Sequence, residues 1–260
     1  MELLKKNVPL MMDALENKSK YSLFPTIGER EKWRSLPKSV HVYFTEKADQ
    51  FLGVKWPILP ATTFMEYQKS GNRSEFESMF FKRRYALGHL VLAECLENEG
   101  TYLTEIVDLV WAICEESTWT VPAHQSKREQ GVLPFPEKND IAIFSADTSA
   151  LLSISLHLLR PVLLNFAPNL INRIEFEVNR RILMPFLTRE YEWMGFRYGV
   201  TNTWNPWINA NVLSSFLFLS DINSEQRTKG VAKVMESLDH FLNYYLDYGN
   251  RDNSPIYWYF

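Results

Sequence analysis

The stretch TNTWNPWINAN at positions 201–211 carries the residue types best suited to bind a polar, ring-shaped ligand, with four asparagines and two tryptophans. An asparagine side chain both donates and accepts hydrogen bonds, and an indole is a flat apolar platform. This combination matches a sugar, which has hydroxyl groups at its edge and C–H groups on its face. The candidate ligand contacts in this stretch are Asn202, Trp204, Asn205, Trp207, Asn209 and Asn211.

The same stretch also has a structural interpretation, as the beginning of a helix. Asn205 is a good N-cap residue, and Pro206 is favoured at the first helical position. The apolar residues that follow at helical spacing predict a helix to about residue 219. Ligand binding and helix capping are compatible, so both interpretations stay open at this point.

A second candidate site lies in the polar, proline-containing segment from residue 117 to about residue 140, which begins STWTVPAH. A loop of this length is frequently functional. His124 is its strongest candidate, because an imidazole in an exposed loop can titrate or form hydrogen bonds near neutral pH. Trp119 lies close to it in the sequence. The alternative is that His124 is a surface or structural histidine.

The composition is that of a globular protein, since 46% hydrophobic and 23% charged residues are sufficient for a full core. The formal net charge of −3 gives no overall attraction to nucleic acid or to an anionic membrane. The N-terminal segment has only short apolar pieces separated by charges, so it predicts neither a signal peptide nor a membrane span. We therefore expect a cytoplasmic protein, unless a leader has been removed, with no nucleic-acid or membrane partner.

The sequence contains no motif for a metal ion or a cofactor. Cys95 and Cys114 lie in apolar helical contexts and are expected to be buried thiols, since no cluster of cysteine and histidine has metal-ligand spacing. A glycine-rich phosphate loop, a nucleophile elbow and an HExxH motif are all absent. These observations predict no metal site and no cofactor.

The elements that must position the candidate residues are helices. Apolar residues at three-to-four-residue spacing predict helices over about 74–97, 101–116, 140–165, 169–187, 206–219 and 225–247. Pro161 and Pro185 are expected to kink or end two of them. The first two helices are joined by a short connection containing Gly100, which predicts an antiparallel hairpin. Residues 1–70 are expected to be an irregular helical lead-in to a helical domain over residues 71–260.

The pattern as a whole predicts an all-α fold of antiparallel helical hairpins in series. No strand-like alternation occurs, and there is no fixed-period repeat of the tetratricopeptide or ankyrin kind. Hairpins in series can form either an open solenoid or an α/α toroid, and the periodicity is compatible with both.

Three segments give the chain a resemblance to the N-terminal helical region of the heparinase II/III-like polysaccharide lyases. They are WTVPAH at 119–124, NTWNPW at 202–207, and a closing pair, YLDYG at 245–249 with SPIYW at 254–258. Their order and spacing match the family over roughly residues 75–260. The chain departs from the family pattern at Asn253 and Ser254, where an acidic residue followed by glycine is usual, and no β-sandwich region follows in this sequence.

The resemblance implies an incomplete α/α toroid that acts on uronic-acid-containing polysaccharides by β-elimination. In that chemistry an amide neutralises the uronate carboxylate, and a tyrosine serves as acid, base or both. Asn202 or Asn205 would match the amide and Tyr257 the tyrosine, with His124 as a further catalytic residue. Together with the residue types above, this gives an acidic glycan as the expected partner and the following candidate substrate-binding residues: Trp119, Trp204, Trp207, Asn209, Asn211 and Trp258.

Two other functions stay open. One is a non-catalytic carbohydrate-binding or scaffold domain of the same fold, in which aromatic rings stack on sugar without proton transfer; the altered closing segment favours it. The other is an inverting glycoside hydrolase, which requires two carboxylates about 6.5–9.5 Å apart across a cleft. Asp140, Asp147 and Glu190 are the candidate carboxylates for that reaction. The sequence leaves the oligomeric state open.

Overall fold

The structure is a computed structural model that describes residues 2–16, 24–125, 132–137, 140–197, 201–220 and 222–248, with side chains described as far as residue 243. Within these ranges the regular structure is helical and no β-strand occurs, which confirms the prediction of an all-α fold. The helices are α1 (Val8–Glu16), α2 (Arg30–Arg34), α3 (Lys38–Asp49), α4 (Ala61–Ser70), α5 (Ser74–Glu97), α6 (Leu103–Glu115), α7 (Ile143–Phe166), α8 (Pro168–Val178), α9 (Met184–Thr188), α10 (Trp204–Phe218) and α11 (Ser224–Tyr248). Short 3₁₀ turns lie at Lys5–Asn7, Pro122–His124 and Glu192–Met194, and a π-helical turn at Asn179–Leu183 joins α8 to α9.

The central helix is α7, which packs against α5, α8 and α10. Its buried side includes small residues such as Ala146, Ser149 and Ser153. The Ser149 hydroxyl lies 2.9 Å from the Ser215 hydroxyl of α10, a close approach that larger side chains would prevent. By length and composition α7 could also cross a membrane, but half of its apolar window is buried within the protein, as is usual for a helix at the centre of a core.

Pro161 lies inside α7 and does not end it, so the expectation of a helix end there was wrong, whereas the helical run that contains Pro185 ends at Thr188, close to that proline as expected. Proline lacks an N–H and cannot bond the carbonyl four residues earlier. The helix continues through Pro161, and one residue from the carbonyl that the proline leaves unbonded, the backbone N–H of Ile27 donates to the carbonyl of Leu158 at 2.8 Å. Pro185 lies at the start of α9, directly after the π-helical turn, whose wider hydrogen-bond spacing accommodates it.

The predicted hairpin of α5 and α6 is present, and a buried carboxylate fixes its turn. Asn98 ends α5 in the left-handed conformation, with φ of 57°, and Gly100 has φ of 79°. The Glu94 carboxylate accepts hydrogen bonds from the backbone N–H groups of Gly100 at 2.8 Å and Tyr102 at 3.0 Å. The acidic and glycine residues of this connection therefore stabilise one turn geometry, which sets how α6 returns along α5.

The two cysteines are buried free thiols, as the sequence predicts. Cys95 lies on α5 and Cys114 on α6, and burial raises the pKa of each thiol to about 12. A thiol with so high a pKa carries almost no thiolate at neutral pH and is a poor nucleophile.

Three buried charged side chains join α5, the end of α6 and α7. Glu116 accepts hydrogen bonds from Arg83 at 2.8 Å and from Arg84 at 2.6 Å, and all three side chains are nearly inaccessible to solvent. Arg84 also donates from Nε to the Thr148 hydroxyl of α7 at 2.9 Å. Arg83 reaches the carbonyl of Pro57 in the segment before α4. One carboxylate therefore compensates two guanidinium groups at the junction of four segments.

We expect Glu116→Gln to lower the free energy of unfolding by about 3–5 kcal/mol, because two buried guanidinium groups would lose their counter-charge. Urea unfolding measures the change. Glu115→Gln is the matched control: that neighbouring carboxylate is 54% exposed, and its pairing with Arg173 contributes at most about 1 kcal/mol. Similar small losses from both substitutions would contradict the structural role of the Arg83–Glu116–Arg84 cluster.

Candidate functional site

Two of the predicted site regions, far apart in the sequence, meet in the fold. The imidazole of His124 stacks on the ring of Phe144, with 5.1 Å between the ring centroids and 5° between their planes. Its other neighbour is the indole of Trp204, whose centroid lies 4.8 Å away. The 3₁₀ turn Pro122–His124 thus brings the histidine of the long loop against the beginnings of both α7 and α10.

The surroundings of His124 favour its neutral form. The ring is partly buried between aromatic rings, and desolvation lowers the pKa of the imidazole; the positive charge of Arg73 lowers it further. Its Nδ1 atom is buried and has no hydrogen-bond partner among the described residues. The neutral imidazole is the form that can accept a proton, but the buried Nδ1 is out of reach of a ligand, so Nε2 is the ring nitrogen for that role.

One edge of α10 continues the site from Trp204. Trp207 and Asn211 follow at positions three and seven residues further on, so the three side chains share that edge of the helix. Trp207 is 49% exposed, and Trp204 and Asn211 are partly buried. The Asn211 amide donates to the Trp207 carbonyl at 3.1 Å, which keeps it on this edge.

The edge of α10 borders an open cleft of about 460 Å³, which we call the Asp147 cleft. Its lining comes from α5, α7 and α10 and consists of Phe81, Arg84, Tyr85, Asp147, Ala150, Leu151, Ile154 and Asn211. Phe81 lies 4.7 Å from Phe144, centroid to centroid, and Phe144 stacks on His124. A line of aromatic rings therefore leads from His124 into the cleft.

The two charged residues in the lining of the Asp147 cleft, Arg84 and Asp147, are not equally available to a ligand. Arg84 lines the cleft, but its guanidinium is already paired with the Glu116 carboxylate. Neighbouring side chains partly desolvate the solvent-exposed Asp147 and raise the pKa of its carboxyl, and the charge of Arg84 opposes this shift. The cleft thus offers a carboxyl group, an amide and aromatic walls, which are the contacts that a sugar uses.

The structure corrects the roles of two of the four asparagines. Asn205 and Asn209 have no solvent exposure. The Asn205 amide donates to the carbonyls of Trp193 at 2.9 Å and Ser237 at 3.0 Å. Asn209 donates to Asn205 at 3.1 Å and to the Ser237 hydroxyl at 2.9 Å, and that hydroxyl donates to the carbonyl of Met194. Both amides join α10 to α11 and to the Glu192–Met194 turn, so neither is accessible to a ligand in this structure.

The N-cap position of α10 is Thr203, which makes no side-chain cap, and Asn202 contacts the helix N-terminus in place of the predicted Asn205. The helix begins at Trp204, and the side-chain oxygen of Asn202 accepts the backbone N–H of Trp204 at 3.0 Å. Asn205 and Pro206 lie inside the first turn instead of at the N-cap and first position. The Asn205 side chain is buried in the core and cannot bind the first N–H groups of the helix, so the exposed Asn202 accepts one of them instead.

Trp119, another predicted substrate contact, is also a core residue. It is fully buried, its indole N–H donates to the carbonyl of Ile113 at 2.9 Å, and the Arg181 guanidinium lies 4.7 Å over its ring. It cannot stack on a ligand in this position. The remaining predictions, Tyr257 as the catalytic tyrosine and Trp258 as a substrate contact, lie outside the described residues.

Of the three carboxylates considered for glycoside hydrolysis, the cleft contains one. Asp147 lines it, whereas Glu190 pairs with Arg197 at 3.4 Å and borders a different depression beside Lys233 and His240. The backbone carbonyl of Asp140 accepts hydrogen bonds from Thr120 and Ser145 at the start of α7. The cleft lining therefore does not supply the pair of carboxylates that an inverting mechanism requires.

Sequence reasoning missed the contribution of α5 to this site. Phe81 and Tyr85 follow the helical spacing of a buried stripe, but Tyr85 is exposed and both line the cleft. The polar residues Lys82 and Arg84 beside them were the available signal that this face is not entirely core.

Comparison with known proteins gives no further assignment. No protein-family profile matches the chain, and a search of characterised proteins also found no match. The described residues contain no group of three or more histidine, cysteine, aspartate or glutamate side chains that could hold a metal ion. The site must therefore be interpreted from its own geometry.

We expect Asn205→Ala to lower the free energy of unfolding by about 2–3 kcal/mol, because it leaves buried carbonyl groups without a donor. Chemical unfolding followed by tryptophan fluorescence measures the loss. Asn211→Ala, on the same helix but at the cleft edge, should change stability by about 0.5 kcal/mol or less. If the two variants were equally stable, the buried role of Asn205 would be wrong.

The pKa of His124 should lie below the ordinary value of 6.5 and rise toward it in Phe144→Ala, which removes one wall. Below pH 6.5 the unfolded chain then binds more protons than the folded chain, so His124 makes stability fall as the pH decreases through that value. An NMR titration of the imidazole gives the pKa, and His124→Gln should reduce the loss of stability at acidic pH. A pKa at or above 6.5 would contradict the desolvated setting.

Proposed function

We propose that the chain is a glycan-binding helical domain of the polysaccharide-lyase type, arranged as part of an incomplete α/α toroid. Its binding groove would consist of His124, Trp204, Trp207 and the Asp147 cleft. The observation that carries the proposal is the contact of His124 with Trp204 at one end of an aromatic-lined cleft. The loop segment with His124 and the asparagine-rich stretch with Trp204, both predicted site regions, are in contact there.

The proposed ligand is a polysaccharide that contains uronic acid. Trp204 and Trp207 would face the C–H groups of the sugar rings, and the amides with solvent access, Asn202 and Asn211, would bind the uronate carboxylate. The neutral amide is the useful group here, because its N–H groups stabilise negative charge that develops on the carboxylate as the adjacent proton leaves.

In the proposed reaction His124 is the proton acceptor. It removes the proton from C5 of the uronate, the electron pair forms the C4–C5 double bond, and the bond from C4 to the glycosidic oxygen breaks. The leaving oxygen takes a proton from an acid, for which the sequence offers Tyr257. The lowered pKa of His124 keeps its imidazole unprotonated at neutral pH, which is the form that a base requires.

The non-catalytic alternative is favoured by the burial of Asn205. This residue matches the family's amide position as well as Asn202 does, and its side chain is used entirely within the core. Of the two matching amides only Asn202 reaches solvent, and its side-chain oxygen caps α10. A domain with this arrangement can bind sugar through its aromatic edge without activating the C5 proton.

The reaction is tested by incubating the chain with heparan, chondroitin, alginate and related uronans while recording the ultraviolet absorbance of the unsaturated uronate product. We expect product from the unmodified chain and none from His124→Gln or Tyr257→Phe, with binding retained in both. Binding without product from any chain would establish the non-catalytic alternative. No detectable binding to any uronan would overturn the proposal in both forms.

The position of the groove is tested with two equally accessible tryptophans. Trp207→Ala should weaken uronan binding about tenfold, the loss typical of an exposed tryptophan that contacts a ligand. Trp111 is 51% exposed but lies on α6 against Arg173 and not on the α10 edge, so Trp111→Ala should leave the affinity unchanged. Calorimetric titration gives both values, and an equal effect of the two substitutions would contradict this location.

A further inference from the structure

A separate cavity of about 540 Å³ lies between α1, α7, α10 and α11. This volume is within the range of small-molecule sites, roughly 300–1,000 Å³. The cavity shares no lining residue with the Asp147 cleft. Most of its wall is apolar and includes Met11, Leu15, Leu213, Leu217, Val231 and Met235. Aliphatic and thioether side chains of this kind adapt to a flexible hydrocarbon chain and offer no hydrogen bonds to a sugar.

One positive charge in this wall, that of Arg227, has no carboxylate partner among the residues that the structure describes. Arg227 of α11 donates from Nη2 to the carbonyl of Leu219 at 2.7 Å, just beyond the end of α10. Its Nε atom is buried and has no hydrogen-bond partner in the described part of the chain. Burial lowers the pKa of the guanidinium, yet arginine stays charged at neutral pH. The residue is only partly buried, and a carboxylate that enters the cavity would stabilise its charge and offer Nε an acceptor.

The other ionic group at the cavity is already compensated. Arg160 of α7 pairs with Glu175 at 2.9 Å, and the same carboxylate oxygen accepts the Ser220 hydroxyl at 3.2 Å. His157 also lines the cavity, and its Nε2 lies 3.0 Å from the carbonyl of Phe24. Among the described residues that line the cavity, Arg227 is therefore the one whose charge is open to a ligand, and this charge favours an anion over a neutral molecule.

We propose that this cavity binds a free fatty acid, with its carboxylate paired to Arg227 and its single acyl chain along the apolar wall. This site is independent of the glycan groove. The charge argues for an acid over an alcohol, and the continuous apolar wall argues for an unbranched chain. The protein would then carry two sites of different chemistry, one for a polar ligand and one for an amphiphile.

Calorimetric titration with decanoate, octanoate and decanol tests the proposal. Decanoate should bind with one molecule per chain, roughly fifteenfold more tightly than octanoate, because two fewer methylene groups enter the cavity in octanoate. Decanol, which has no charge for Arg227, should bind at least about tenfold more weakly than decanoate. Equal affinity of the acid and the alcohol, or no binding of decanoate, would overturn the proposal.

Four variants distinguish the contribution of the Arg227 charge to fatty-acid binding from that of the cavity's shape. Arg227→Gln should lower decanoate affinity at least about tenfold, and Arg227→Lys should retain most of it, although both alter the contact with Leu219. Lys229→Gln removes the same charge from an exposed position on the same helix and should leave binding unchanged. Ala14→Phe fills the cavity from α1 without changing any charge and should abolish binding. Undiminished binding in both Arg227→Gln and Ala14→Phe would place the fatty acid elsewhere.

Discussion

The candidate groove depends on how α10 is rotated about its own axis, and a buried polar network sets that rotation. Asn205 and Asn209 point into the core, where they bind Ser237 of α11 and the carbonyls of the Glu192–Met194 turn. A buried amide is costly unless its hydrogen bonds are made, so few other rotations of the helix are acceptable. With these two amides fixed, the other edge of α10 places Asn211 in the lining of the Asp147 cleft, Trp204 against His124, and Trp207 exposed between them in sequence.

Buried charge determines the opposite wall of the same groove. Glu116 draws Arg83 and Arg84 together, and Arg84 reaches Thr148 of α7. The two consecutive arginines line different depressions. Arg84 borders the Asp147 cleft, and Arg83 borders another cavity, which is also lined by Trp56 and Thr118. A single carboxylate therefore holds the start of the loop that leads to His124 against α5.

Much of the helical architecture could be predicted from the sequence, because apolar spacing and local stop signals act over a few residues. The bounds of α5, α6 and α11 agree with the periodicity to within a few residues. The asparagine-rich stretch was recognisable as unusual, but composition alone cannot distinguish Asn205 in the core from Asn211 at the cleft. That difference arises from contacts with residues about thirty positions away, as with Ser237. The meeting of His124 with Trp204 is likewise a long-range contact without a local signal.

The most direct test of the groove is a two-dimensional ¹H–¹⁵N NMR titration of the labelled chain with a uronic-acid oligosaccharide, following the indole N–H groups. The indoles of Trp204 and Trp207 should shift during the titration. Those of Trp119 and Trp193, which are buried and donate to the carbonyls of Ile113 and Ile141, should stay unchanged and serve as internal controls. Shifts confined to other tryptophans, or no shift at saturating oligosaccharide, would contradict a glycan groove at this edge of α10.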